Sequence, residues 1–288
     1  MNEYFKIVYE VVVHNKKNVF DLNKHVLRNA KHNKVLLHFL RVTEMDNEVR
    51  NSEERKFKLT IEMIELIKNK LKKFEGKYVF FKLVKPVVYV PSDIDLLVKR
   101  NILGDIVSSL KELGFFIEVV EPYCVTLRSS CCVIDVYVHP TLGGMIYLNG
   151  DLLLEHSRVT SFHGTEIPTL ETFAEALVCV SHAIYKERIY TLNDYITVKK
   201  WFSYKSNILC DLLRCREAAL LAFHINKMVE QQKIELPFRI PLSLWINILF
   251  SKIKNDNISR ATSLNLIKAL NDKRIGRLIL SKLTRKYY

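Results

Sequence analysis

Glycine and proline are scarce in this chain, at 8 and 7 of 288 residues, which excludes collagen-like and linker-rich low-complexity architectures. With 49% hydrophobic residues the chain can bury a substantial core, so disorder is excluded and a compact, largely helical globule is expected. No apolar run is long enough to span a bilayer. Glu10 interrupts Ile7-Val8-Tyr9 and Val11-Val12-Val13 and no small-residue cleavage site follows, so neither an anchor nor a secretory leader is expected, and the expected location is cytoplasmic. The six cysteines, Cys124, Cys131, Cys132, Cys179, Cys210 and Cys215, include no CxxC pair and read as small buried apolar residues, not as a secreted disulfide scaffold. Cys210, Cys215 and His224 make no compact zinc set and lack a fourth ligand. The absence of GxxxxGKS/T, HExxH and GxSxG patterns excludes P-loop ATPases, zincin proteases and α/β-hydrolases on those signatures.

What the chain does have is charge of one sign and a small group of acids. Lysine and arginine number 44 against 31 acidic residues, a formal net charge of +13. Such an excess favours a polyanionic partner such as a nucleic acid, although a solvated basic surface has the same composition.

The acids that stand out are Asp93 and Asp95 in Ser92-Asp93-Ile94-Asp95-Leu96, and Asp135 in Val133-Ile134-Asp135-Val136. Both settings are β-type. In a strand, residues i and i+2 share a face, so Asp93 and Asp95 present their carboxylates together and a neighbouring strand can add Asp135. Carboxylates that close resist joint ionisation unless a cation neutralises them. Hard oxygen ligands suit Mg²⁺, which completes its shell with water and substrate phosphates. A capped turn after Pro91 is the simpler reading of the pair, but the apolar Ile94, Leu96, Leu97 and Val98 set the acids at the edge of a core.

Pro91-Ser92-Asp93-Ile94-Asp95-Leu96-Leu97-Val98, a following helix and then Ile134-Asp135-Val136 resemble the polymerase-beta-like nucleotidyltransferase superfold, especially its poorly characterised archaeal and bacterial members. The resemblance covers residues 75–200. It implies that Asp93, Asp95 and Asp135 bind two Mg²⁺ (or Mn²⁺) ions that orient a nucleoside triphosphate and activate an acceptor hydroxyl, with RNA slightly favoured over a protein or small molecule. Ser92 joins the nucleotide-binding candidates. The superfamily places a Gly-Ser or Gly-Gly turn before the paired acids, and this chain has no glycine between Gly76 and Gly104. Close backbone approach to phosphate is less natural without it. Lys82 or Lys85 is then the source of charge, with Lys82 ranked first because the uncharacterised branch tends to carry a lysine at the end of this strand. The rival reading is a non-catalytic nucleotide- or nucleic-acid-binding module on the same scaffold.

Around these residues the pattern predicts an α/β (α+β) protein: an N-terminal helical segment over 1–75, a small mixed-sheet core over 76–167 and a C-terminal helical domain over 168–288. Strands are expected at Tyr78 to Val84, Ile94 to Val98, Phe115 to Val120, Cys124 to Leu127 and Val133 to Val138, with a helix from Ile102 to Leu113 closed by Gly114. Pro168-Thr169 is expected to open the helical domain, with Thr169 as cap. In that domain His182 and Lys186 share a helical face, followed by Arg188 and Asp194. The uncharacterised branch has a similar cluster, which implies that these four meet the triphosphate or acceptor, whereas simple helix packing is the alternative. His139 can reach the same region from the strand end. The tail, Lys273 to Tyr288, is basic with terminal aromatics and reads either as an RNA contact or as the polar face of a last helix.

Overall fold

The computed structural model of the chain describes residues 2–17, 23–45 and 47–285, so Lys286, Tyr287 and Tyr288 of the basic tail lie outside the described residues. Four helices come first: α1 (Glu3–His14), α2 (Lys24–His32), α3 (Leu36–Val42) and α4 (Glu48–Lys70). The side chains of Asn2, Asn23 and Asn47 accept backbone N–H bonds at the heads of α1, α2 and α4, which is why those helices start where they do. α4 buries Phe57, Ile64 and Ile67. Leu59 of the same helix is 60% exposed.

A mixed sheet follows, built from β1 (Tyr78–Phe80), β2 (Ile94–Val98), helix α5 (Leu103–Glu112), β3 (Phe116–Glu121), β4 (Cys124–Arg128) and β5 (Val133–Tyr137). After a two-strand hairpin, β6 (Thr141–Leu142) and β7 (Met145–Ile146), and the short helix α6 (Gly150–Leu154), the chain adds β8 (Ser157–Phe162) and β9 (Thr165–Leu170). The strand order is β3-β4-β5-β2-β1-β9-β8. β2 runs parallel to β5 and β1 parallel to β9, and the remaining pairs are antiparallel. Gly114 closes the α5 end in the left-handed conformation expected of it.

The rest is helical: α7 (Thr172–Ser181), a π-helical turn over His182–Glu187, α8 (Leu192–Trp201), α9 (Tyr204–Leu212), α10 (Arg216–Glu230), α11 (Leu242–Asn255), α12 (Asn257–Asn271) and α13 (Lys273–Thr284). A two-residue strand pair, β10 (Ile189–Tyr190) with β11 (Phe238–Arg239), interrupts it. Among the described residues no helix is long and apolar enough to cross a membrane.

Two apolar clusters place the acidic strands. Ile94, Leu96 and Val98 pack with Phe57, Ile64 and Ile67 of α4 and Ile106 and Leu110 of α5, each buried branched side chain contributing roughly 2 kcal/mol. Leu97 joins the other cluster, shared by α1–α3 and the C-terminal helices. Strand alternation puts Asp95 on the Leu97 side, facing the helical layer.

Two expectations are corrected. β1 stops at Phe80 instead of Val84, because Lys82 turns into the left-handed region at φ 61°. Pro168 and Thr169 lie inside β9, paired with Val159 and Arg158 of β8, and α7 begins at Thr172. Ladder pairing on both sides of β9 outweighs the local helix-start signal.

Candidate active site

β2 and β5 lie side by side in register, and Asp95 of β2 is the direct partner of Asp135 of β5. Asp93 sits just before β2, one alternation from Asp95. Ligand oxygens of the three carboxylates lie within 4.8 Å of one another, close enough to share a cation.

Each acid is held differently. Asp135 accepts the Thr126 hydroxyl at Oδ1 (2.6 Å) and the Tyr137 hydroxyl at Oδ2 (2.9 Å). That fixes the carboxylate yet leaves lone pairs on both oxygens. The Tyr137 hydroxyl in turn accepts a bond from Lys186 Nζ at 2.7 Å. Asp93 accepts the Ser92 hydroxyl at 2.8 Å. Asp95 is buried, and its Oδ1 receives no aligned hydrogen bond although Lys82 Nζ is 2.6 Å away. Burial drives the Asp95 carboxyl up to about 7, Asp93 and Asp135 pushing the same way and Lys82 opposing. For Asp93 burial is outweighed by Lys82, the Ser92 hydroxyl, Lys34 and Lys186, which hold it at about 2. Two adjacent carboxylates are thus driven apart, as expected where negative charge is concentrated for a cation.

Lys82 is locked from both sides. Its backbone N–H donates to both Glu175 oxygens at 3.0 Å, and its carbonyl accepts the Tyr89 hydroxyl at 2.5 Å. Glu175 on α7 is 1% exposed, and the Thr169 hydroxyl donates to it at 3.5 Å. The left-handed backbone costs a residue with a side chain of the order of 1 kcal/mol. The Glu175 carboxylate offsets that cost.

In front of the acids is a cleft of about 580 Å³. Its walls bring together Lys82, Lys85, Ser92, Asp93, Asp95, His182, Lys186 and Asp194 of the sequence candidates. Burial works against the charge on Lys85, but Cys179, Glu175 and Asp194 outweigh it and push its pKa above the ordinary lysine value. His182 contacts the Tyr147 hydroxyl through Nδ1 and Glu187 through Nε2, both at 3.4 Å. Asp194 is also structural, accepting the Thr191 N–H and hydroxyl at the head of α8. Arg188 is not among the described residues lining the cleft: it is buried in a left-handed turn whose carbonyl accepts the Ile240 N–H. His139 accepts the Gly150 N–H and packs on Tyr123, also off the cleft wall.

Several cleft residues carried no sequence signal for the site. Lys31 comes from the last turn of α2 and Lys34 from the α2–α3 connection, Lys56 and Glu53 from α4, and Arg285 from the end of α13, where it pairs with Glu187. With Lys82, Lys85 and Lys186 they bring the lysines and arginines lining the cleft, among the described residues, to seven, against five acids, Glu53, Asp93, Asp95, Glu187 and Asp194. Two short acids at the start of the central strand β2, surrounded by basic side chains, suit an anion carrying a divalent cation.

The sequence matches no protein-family model, and no curated protein matches it. Among solved structures the chain is similar to the crystal structure of ANT(2")-Ia in complex with adenylyl-2"-tobramycin, at 11% identity and a TM-score of 0.40, over 55% of this chain and 98% of that one. At that identity and that TM-score the likeness carries no argument about what this chain binds.

Proposed function

We propose that this chain is a nucleotidyltransferase that uses Mg²⁺ or Mn²⁺ to move a nucleoside monophosphate from an NTP to a hydroxyl acceptor. The observation that carries the reading is the meeting of Asp93, Asp95 and Asp135 within 4.8 Å, with Asp93 and Asp95 lining a cleft whose wall is basic and Asp135 directly behind them on β5, not among the described residues of the cleft wall. The three carboxylates fit a hard cation: their ligand oxygens lie within 4.8 Å of one another, and Asp135 keeps lone pairs after its two bonds. A bound divalent ion supplies charge neutralisation at phosphorus and lowers the pKa of an attacking hydroxyl.

The residues of the chain do the rest. Lys34, Lys85 and Lys186 bind phosphate oxygens and meet the charge that builds on the departing pyrophosphate. Asp135, braced by Thr126 and Tyr137, orients the acceptor hydroxyl. Phosphorus receives the acceptor oxygen on one side as its bond to the pyrophosphate oxygen breaks on the other, and the hydroxyl proton leaves to solvent water. In this reading the core over 76–167 carries the acids, and the helical parts over 1–75 and 168–288 wall the cleft. The net charge of +13 favours an RNA acceptor, and the need for an NTP pool fits a cytoplasmic location. Transfer of label from an α-labelled NTP, lost on replacing Asp93 and Asp95, is the test.

A further inference from the structure

Resting on that reading, we infer that Lys82 is a resident cation of the acidic triad, so that the site takes one divalent ion beside its nucleotide instead of two. The ammonium stands 2.6 Å from Asp95 Oδ1, with the Lys82 side chain only 12% exposed. It is caged by the rings of Phe81 and Tyr137, each centred 5.1 Å away. Cation–π contact of that kind stabilises a desolvated ammonium where it is.

The backbone beneath it is equally committed. Glu175 grips the N–H with both oxygens, Tyr89 the carbonyl, and φ is 61°. A lysine in a left-handed turn, held by a buried carboxylate, is directed at Asp95 by construction; it is not a mobile surface chain that has drifted there. For the ammonium to leave, it must give up a desolvated ion pair and two ring faces.

Charge points the same way. With all three acids ionised the triad carries three negative charges. Lys82 neutralises one, and Lys186, bonded to the Tyr137 hydroxyl that donates to Asp135, offsets part of another. In the nucleotide-free site one divalent ion then brings the cluster close to neutral and a second would leave it positive, so the resident ammonium takes the place a second ion would fill before the triphosphate arrives. Lys82 also covers Asp95 Oδ1 at 2.6 Å, which removes one carboxylate oxygen from the set a second ion could use.

The test is a count of Mn²⁺ retained with the protein at pH 8 with α,β-methylene-ATP saturating, taken as total Mn²⁺ in the retentate minus that in the matching ultrafiltrate. Wild type should hold one Mn²⁺ per chain beside the analogue. Lys82→Met and Lys82→Gln, which keep the bulk and remove the charge, should hold two. Two ions in wild type, or one in variants that still unfold cooperatively and bind the analogue, overturn the inference. Should neither variant fold, the wild-type count alone decides. Two ions in a wild type that transfers label leave the nucleotidyltransferase reading standing and remove only the role of Lys82, whereas no bound Mn²⁺ together with no transfer removes both.

Discussion

Asp95 and Asp135 are direct neighbours on parallel strands, paired in register between β2 and β5, so a segment forty residues downstream delivers its acid to the side of the first. Both point to the same face because register fixes the side of every residue in a strand. Replacing either by Asn keeps size and strand geometry and removes a charge. Asp95→Asn and Asp135→Asn should each lower transfer at least ~100-fold while thermal unfolding stays cooperative. Activity within a few-fold of wild type would remove the triad from the chemistry.

The Glu175 carboxylate holds the strained Lys82 backbone, and its own burial raises its pKa, against the pull of Lys85 and of the Lys82 N–H. Glu175→Ala should therefore destabilise the fold by about 1–3 kcal/mol in denaturant titration, since it leaves a buried N–H unpaired. Glu175→Gln retains one acceptor and should cost less. Equal losses for the two variants would argue against the backbone bond as the reason.

The acid pair was legible in the sequence, and so was the strand that carries it, because Ile94, Leu96 and Val98 alternate with Asp95 in a short run. Asp135 was legible from the same pattern. The turn at Lys82 was not. Its cause, Glu175, lies on α7 ninety-three positions away, and a left-handed lysine has no local signature where glycine is the usual occupant. Pro168 and Thr169 misled for a related reason: they read as a helix start, and only pairing with β8 and β1 makes them strand. Lys31 and Lys34 were invisible as site residues because a lysine at or just past a helix end looks the same in sequence whether it faces solvent or a cleft. Asn33, whose amide donates to the Leu236 carbonyl and whose side-chain oxygen accepts the Leu192 N–H, fixes that connection against α8, and this contact is wholly non-local.

Stability of the metal-free protein should depend on pH through Asp95. Its folded-state carboxyl titrates near 7, above the ordinary 3.8, so its stabilising contribution is full below the ordinary value and declines as pH climbs through 7. Asp93, held at about 2, contributes above 3.8 and loses that contribution only as pH falls through 2. Between pH 5 and 8 the Asp95 effect dominates the pair. In EDTA, the Tm of wild type should fall relative to that of Asp95→Asn as pH rises over this range. Parallel profiles would contradict the assignment.

Lys34 reaches the cleft from the N-terminal helices, remote from the acids in sequence. Lys34→Ala should raise the KM for NTP by roughly tenfold, the worth of one charge-assisted phosphate bond, with kcat changed much less. A loss confined to kcat would place Lys34 in transition-state stabilisation instead.

The most direct measurement is incubation of purified protein with each α-labelled NTP, Mg²⁺ or Mn²⁺, and total cellular RNA and protein, beside an Asp93→Asn/Asp95→Asn control. Label should appear on a macromolecule, require the divalent ion and vanish in the control, and the labelled species identifies the acceptor class. RNA binding that needs no divalent ion and survives in the control, with no label transferred to RNA, protein or the small-molecule fraction, would contradict a transferase and leave a binding module.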